Sequence, residues 1–143
     1  LRGAYICITG GEPLLQREDL LELLKKFQLH GYSVEIETNG SLDFREMQPY
    51  ASICMDVKCP SSGERSDLSL LSAITAHDSV KFVVADMDDL LYARAVMGRC
   101  RMGGEVFVSP VEGSDCRAIA DYIVSENLPV RFQVQLHKVL GMR

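Results

Sequence analysis

Two observations predict an α/β fold built on a mostly parallel sheet. Six short runs rich in Val, Ile or Phe recur along the chain, most of them nearly continuous rather than alternating. That is how strands buried on both faces read in a parallel sheet. The segments between them carry the 3.6-residue period of amphipathic helices. Strand, helix and strand in repeated order mean βαβ units with right-handed crossovers. Periodicity alone does not choose between an open barrel and an open sheet.

The six runs cover residues 5–9, 34–37, 53–57, 80–85, 105–108 and 130–136. Leu20, Leu23, Leu24 and Phe27 share one helical face, with Gly31 as a C-terminal stop. Leu68, Leu71 and Ile74 repeat that spacing behind Ser66 as a candidate cap. Asp86 can cap a third helix, with Asp88 and Asp89 in its favourable first turn. Ser114 and Asp115 open a fourth, with Ile119, Tyr122 and Ile123 inward. Between Gly40 and Pro49 the pattern is short and weak.

The length of 143 residues suits one domain spanning 1–143, and 47% hydrophobic residues are enough for a real core. The net charge of -5 comes without a basic stripe, which argues against nucleic acid as a partner. No apolar run approaches the roughly 20 residues of a membrane span, and no signal peptide opens the chain. A cytoplasmic setting is expected. The chain starts at Leu1 rather than Met, so it is expected to be part of a longer protein.

Five cysteines (Cys7, Cys54, Cys59, Cys100 and Cys116) are an odd count that argues against a disulfide framework. Only Cys54 and Cys59 are close in sequence, and one pair cannot complete a metal or cluster site. Cys54 lies within an apolar run and is expected to be core.

In parallel α/β folds ligands bind beyond the C-terminal ends of the strands. The first run ends Thr9-Gly10-Gly11-Glu12-Pro13. Its glycines let a ligand approach the backbone, Glu12 can accept hydrogen bonds from an ammonium group, and Pro13 stiffens the turn. The second ends Glu37-Thr38-Asn39-Gly40; Asn39-Gly40 is an ordinary turn signal, but a carboxylate at the end of a buried strand needs a partner. The third ends Asp56-Val57-Lys58-Cys59-Pro60-Ser61-Ser62-Gly63. Asp56 and Lys58 share a side of the strand, so they can pair with each other or hold opposite ends of a zwitterion. The fifth ends Ser109-Pro110-Val111-Glu112-Gly113. In the last, Arg131, Gln133, Gln135 and His137 alternate with Phe132, Val134 and Leu136. That is either a wet edge strand or a polar face turned into a ligand cavity.

Taken in this order, each at a strand end, the motifs resemble the radical S-adenosylmethionine (SAM) superfamily. Within it, Asp56 to Gly63 and the closing Gln135-Leu136-His137-Lys138 resemble the 7-carboxy-7-deazaguanine synthase family, from Tyr5 to Gly141. The resemblance implies a partial, TIM-like (β/α) radical SAM barrel of about six parallel strands, with the first strand missing. It implies a lyase that converts 6-carboxy-5,6,7,8-tetrahydropterin to 7-carboxy-7-deazaguanine with loss of ammonia, in queuosine or archaeosine (7-deazapurine) biosynthesis. A 4Fe–4S cluster reduces SAM, and the 5′-deoxyadenosyl radical so formed takes a hydrogen atom from the pterin.

By residue match, Gly10, Gly11, Glu12, Asp56, Val57, Lys58, Ser109, Pro110, Val111 and Glu112 would face SAM. Thr9, Glu37, Asn39, His137 and Arg143 would lie on the substrate side. The implied cofactors are SAM, the cluster and Mg²⁺. The implied partners are the pterin, an electron donor such as flavodoxin or ferredoxin, and a possible homodimer mate. The chain departs from the family in one respect: the cluster needs three cysteines in a short loop, and no such triplet is present. That loop, the first strand and a Mg²⁺-binding residue are expected upstream of Leu1. The 143 residues alone are therefore expected to hold no metal and to be inactive. The alternatives are another radical SAM enzyme, such as a glycyl-radical activating enzyme, and a non-catalytic nucleotide-binding βα module.

Overall fold

The computed structural model describes residues 4–135 and 141. Six parallel strands form one sheet in sequence order: β1 (Tyr5–Ile8), β2 (Ser33–Thr38), β3 (Ser52–Lys58), β4 (Ser79–Val84), β5 (Glu105–Pro110) and β6 (Arg131–Phe132). Among the described residues three α-helices accompany them: α1 (Arg17–Leu29), α2 (Met87–Arg99) and α3 (Cys116–Ser125). Among the described residues β1 lies at one edge and pairs only with β2. None of the described helices is long and apolar enough to cross a membrane.

The helix ends follow the side chains that satisfy them. Asp86 accepts the Asp89 N–H to open α2, and Asp115 accepts the Ala118 N–H to open α3. After α1, Gly31 takes a positive φ of 72°, and the Tyr32 N–H returns to the Phe27 carbonyl.

Two crossovers carry no α-helix, one where the pattern is weak and one where a helix is expected. Between β2 and β3 the chain makes only turns, which drop Phe44 and Met47 fully into the core. Between β3 and β4 the Leu68–Ala73 segment is a 3₁₀ helix capped by Asp67, not by Ser66. Ser66 is engaged elsewhere: its hydroxyl donates to the carbonyls of Asn39 and Asp56 and accepts the Lys58 N–H. The last strand is also shorter than expected, because regular pairing stops at Phe132.

The strands are not buried on both faces. β2 and β4 strictly alternate buried and part-exposed residues. One face, with Ile36, Ile53, Met55, Val57, Val80, Phe82 and Val108, packs on Leu24, Leu90, Ala93, Ile119 and the crossover residues. The other face carries Cys7, Glu35, Glu37, Cys54, Asp56, Lys58, Lys81 and Ser109, because alternate residues of a strand point to opposite faces. An apolar run with isolated polar residues read as continuous, although its polar positions fall two apart in register with those of neighbouring strands.

Asp78 fastens the end of the sheet opposite the motif-bearing turns. Its carboxylate, 5% exposed, accepts from Gln48 Nε2 (2.9 Å), the Ile53 N–H (2.8 Å), and the Thr75 N–H (2.8 Å) and hydroxyl (2.7 Å). Thr75 and the start of β3 are thereby held to the start of β4.

Candidate functional site

Because all six strands are parallel, their C-terminal ends lie on one rim. Gly10, Gly11, Asn39, Lys58 and Ser109 therefore gather at the same end of the sheet. Gly10 and Gly11 have φ values of 98° and 57°, which bulkier residues rarely adopt. A Cβ at either would meet nothing within 4 Å, so the need is for backbone shape and the space above the turn is open.

Glu12 is 8% exposed and turned inward. Its Oε1 accepts the Leu14 N–H at 3.0 Å, and its Oε2 accepts the Thr38 hydroxyl at 2.9 Å and the Asn39 N–H at 2.8 Å. The carboxylate expected to meet a ligand ammonium is thus engaged within the chain, joining the turns that follow β1 and β2. Asn39 uses its side chain on the Ser41 N–H. Gly40, with φ 67°, has no room for a Cβ, which would overlap the Met55 side chain.

Beyond β3, Asp89 holds the Pro60–Ser62 turn. Its carboxylate accepts the N–H and the hydroxyl of Ser61 and the Ala85 N–H. Burial opposes ionisation of Asp89, but these hydrogen bonds outweigh it and hold the carboxyl below its ordinary pKa. Cys59 is buried beside this turn, its thiol pushed up to about 12 by burial and by the charges of Asp89 and Asp86.

Asp56 and Lys58 do not pair with each other. Lys58 Nζ lies 3.6 Å from Glu64, a loose contact that leaves the ammonium at the rim. Asp56 Oδ1 lies 3.1 Å from Lys81 Nζ, which also donates to Glu37 Oε1 at 3.2 Å. Glu37 Oε2 accepts from the Thr9 hydroxyl at 3.2 Å. A chain of polar groups thus runs across the sheet from Thr9 through Glu37 and Lys81 to Asp56. Burial lowers the Lys81 pKa, but Asp56, Cys54 and Glu37 together outweigh it and raise the ammonium above its ordinary value. Asp56 is shifted upward, because burial exceeds the attraction of Lys81.

A cavity of about 430 Å³ opens over this network, lined by Glu37, Asp56, Lys81, Ser109, Gln133 and Gln135 among others. Gln133, Val134 and Gln135 all line this cavity, and Arg131 pairs with Glu105 on the surface. The Gln135 side-chain carbonyl is buried there with no donor among the described residues. Pro110, Val111, Glu112 and Gly113 line a neighbouring pocket of about 190 Å³ with Cys116 and Val134. His137 and Arg143 lie outside the described residues.

Lys81 is the residue that the motifs did not single out. The signal was present: one lysine inside the run Ser79–Val84, in register with Asp56, must find a carboxylate if it is to be buried. Cys7, Glu35 and Glu37 bring their ligand atoms within 4.8 Å of one another. Glu37 is already engaged with Thr9 and Lys81, and Cys7 is exposed, so the group reads as part of the polar face. The cysteines do not suit a cluster: Cys54 and Cys59 are buried, and Cys7, Cys100 and Cys116 lie on separate elements.

No family model matches the chain. A 7-carboxy-7-deazaguanine synthase of Methanospirillum hungatei is 52% identical over 96% of the chain, and the chain spans 59% of that relative's length. One of Koribacter versatilis is 33% identical, with 96% of the chain and 69% of the relative aligned. A solved structure described as QueE from Escherichia coli superposes with a TM-score of 0.68 over 92% of this chain and 56% of that one, at 20% identity. That likeness supports the reading of the sheet as part of a TIM-like barrel. On the identity and coverage of these relatives, the chain belongs to the 7-carboxy-7-deazaguanine synthase family.

Proposed function

We propose that the protein carrying this chain is a radical SAM lyase that converts 6-carboxy-5,6,7,8-tetrahydropterin to 7-carboxy-7-deazaguanine, releasing ammonia, for 7-deazapurine biosynthesis. The observation that carries the reading is the gathering of the family motifs on one rim, above a polar cavity. The chain's own residues divide between two tasks. The Gly10-Gly11-Glu12 turn, Asp56-Val57-Lys58 and Ser109 to Glu112 hold SAM, which supplies hydrogen-atom abstraction when bound. Glu12 contributes by fixing the turn, so that the open backbone of Gly10 and Gly11 meets the ligand. Lys58, free of any tight partner, takes the SAM carboxylate.

Thr9, Glu37 and Asn39 serve the substrate, and the family resemblance assigns the same role to His137 and Arg143, which lie outside the described residues. Glu37 suits the N–H edge of a pterin, because a fixed carboxylate accepts from amino and ring N–H groups. The described cysteines do not fit a 4Fe–4S cluster, and the 143 residues alone are expected to be inactive. The same proposal keeps Mg²⁺ as a cofactor, a flavodoxin- or ferredoxin-like electron donor, a possible homodimer and a cytoplasmic setting.

The test is an anaerobic assay of the gene product that carries this chain, given SAM, a reductant and the pterin. Formation of 7-carboxy-7-deazaguanine and ammonia is expected. SAM turnover without conversion of the pterin would overturn the reading.

A further inference from the structure

The cavity face holds one ammonium that no motif accounts for. Lys81 Nζ touches carboxylates from two different strands: Glu37 on β2 at 3.2 Å and Asp56 on β3 at 3.1 Å. Its own strand, β4, lies next to β3 and one further from β2. The side chain therefore reaches across β3 to meet Glu37. Only 17% of the Lys81 side chain is exposed, so its charge is paired from within the protein rather than by solvent. The contact with Glu37 is a hydrogen bond, with the Thr9 hydroxyl holding the other oxygen of the same carboxylate.

A carboxylate held at both oxygens has one orientation. Each of its oxygens also retains a lone pair, because an ionised carboxylate has about four acceptor positions. Around the same cavity stand two amides, Gln133 and Gln135. Such a lining suits a heterocycle with both N–H donors and a carbonyl acceptor.

We infer that Lys81 is a positioning residue for pterin recognition, acting through Glu37, whose carboxylate it orients toward the cavity together with Thr9. The inference rests on the proposed function, in which Glu37 faces the substrate. It predicts specificity as well as affinity: a heterocycle that lacks adjacent N–H donors finds only repulsion at Glu37.

Equilibrium binding of 6-carboxy-5,6,7,8-tetrahydropterin to the anaerobically purified gene product tests this without turnover. Wild type, Lys81→Met, Glu37→Gln and the double variant form a cycle. Lys81→Met is expected to weaken pterin binding about tenfold, the loss of one charge-assisted hydrogen bond. In the Glu37→Gln background the same change is expected to cost little more, because the two residues act as one unit. Lys81→Arg, which keeps the charge, should restore most of the affinity. Lys81→Met leaves Glu37 and Asp56 facing each other, so Lys81→Met with Asp56→Asn, which removes one charge of each sign, is measured beside it. A similar pterin loss in that pair supports the inference.

A purely structural lysine would give additive losses in the cycle, and that result overturns the inference. So does unchanged pterin affinity in Lys81→Met. If wild type fails to bind the pterin, the proposed function falls and takes this inference with it. If wild type binds and the cycle is additive, only the role of Lys81 falls.

Discussion

Glu12 Oε2 accepts the backbone N–H of Asn39 at 2.8 Å, so two turns separated in sequence by α1 and a whole strand are joined directly. Glu12→Gln keeps the size of the side chain but turns one acceptor into a donor facing N–H groups. Leaving such buried donors unsatisfied costs about 1–3 kcal/mol. Denaturant unfolding should show that loss, and amide exchange at Asn39 should accelerate. Unchanged exchange at Asn39 would mean that the two turns are not coupled.

Lys58 behaves differently, because its contact with Glu64 is long and its partner largely exposed. Removing it should leave stability nearly unchanged, since such surface pairs contribute little. In the gene product, Lys58→Ala should weaken SAM binding by about tenfold, the loss of a charge-assisted hydrogen bond. Calorimetry on wild type and variant measures both quantities. Full SAM affinity in the variant would remove Lys58 from the site.

The two buried thiols give the chain an alkaline weakness. Cys54 is pushed up to about 11 and Cys59 to about 12, burial being the largest cause in each. In the unfolded chain both ionise at an ordinary thiol pKa of about 8.5. The folded state therefore holds these protons more tightly than the unfolded state does. This contribution is fully present below the ordinary thiol pKa and is lost as pH rises toward the folded values. Stability measured from pH 8 to 11 should fall, and Cys59→Ala should flatten part of the slope while costing core packing at pH 7. Iodoacetamide at neutral pH should label exposed Cys116 but neither Cys54 nor Cys59. A slope that Cys59→Ala leaves untouched would refute this account.

Asp78→Ala removes a buried acceptor shared by three residues and leaves four donors without it, the Ile53 N–H in a buried place and those of Gln48 and Thr75 in part-buried ones. A donor left buried without its acceptor costs about 1–3 kcal/mol, and several here lose the same one. Thermal unfolding should show it as a large fall in melting temperature. A shift no larger than that of Lys58→Ala would show that the network is dispensable.

The sequence revealed the strands and the rim but not the two faces of the sheet. Ile53 and Met55 lie on the core side, while Cys54 and Asp56 lie on the cavity side, yet all four read as one run. Lys81 was legible only once its register with Asp56 was known, because its partners lie 25 and 44 residues away and share no local pattern with it. Glu12 was legible as a functional carboxylate but not as an inward-facing one: only Thr38 and Asn39, brought close by the fold, reveal where its oxygens point. The region between Gly40 and Pro49 read as weak because only Leu42, Phe44 and Met47 are apolar there and Pro49 follows at once, too short a pattern to define a helical face.

Each strand of the sheet lies beside the strands that precede and follow it in sequence. Main-chain pairing is therefore made between strands adjacent in sequence, although each parallel pair still closes across a whole crossover and so forms more slowly than a hairpin. This order gives the architecture a modular grammar. A strand with its crossover can be gained at an edge, or given up there, without changing the register of any pair further in. Genetic events that add or trim whole units are thus far less disruptive here than in a sheet whose strands are interleaved.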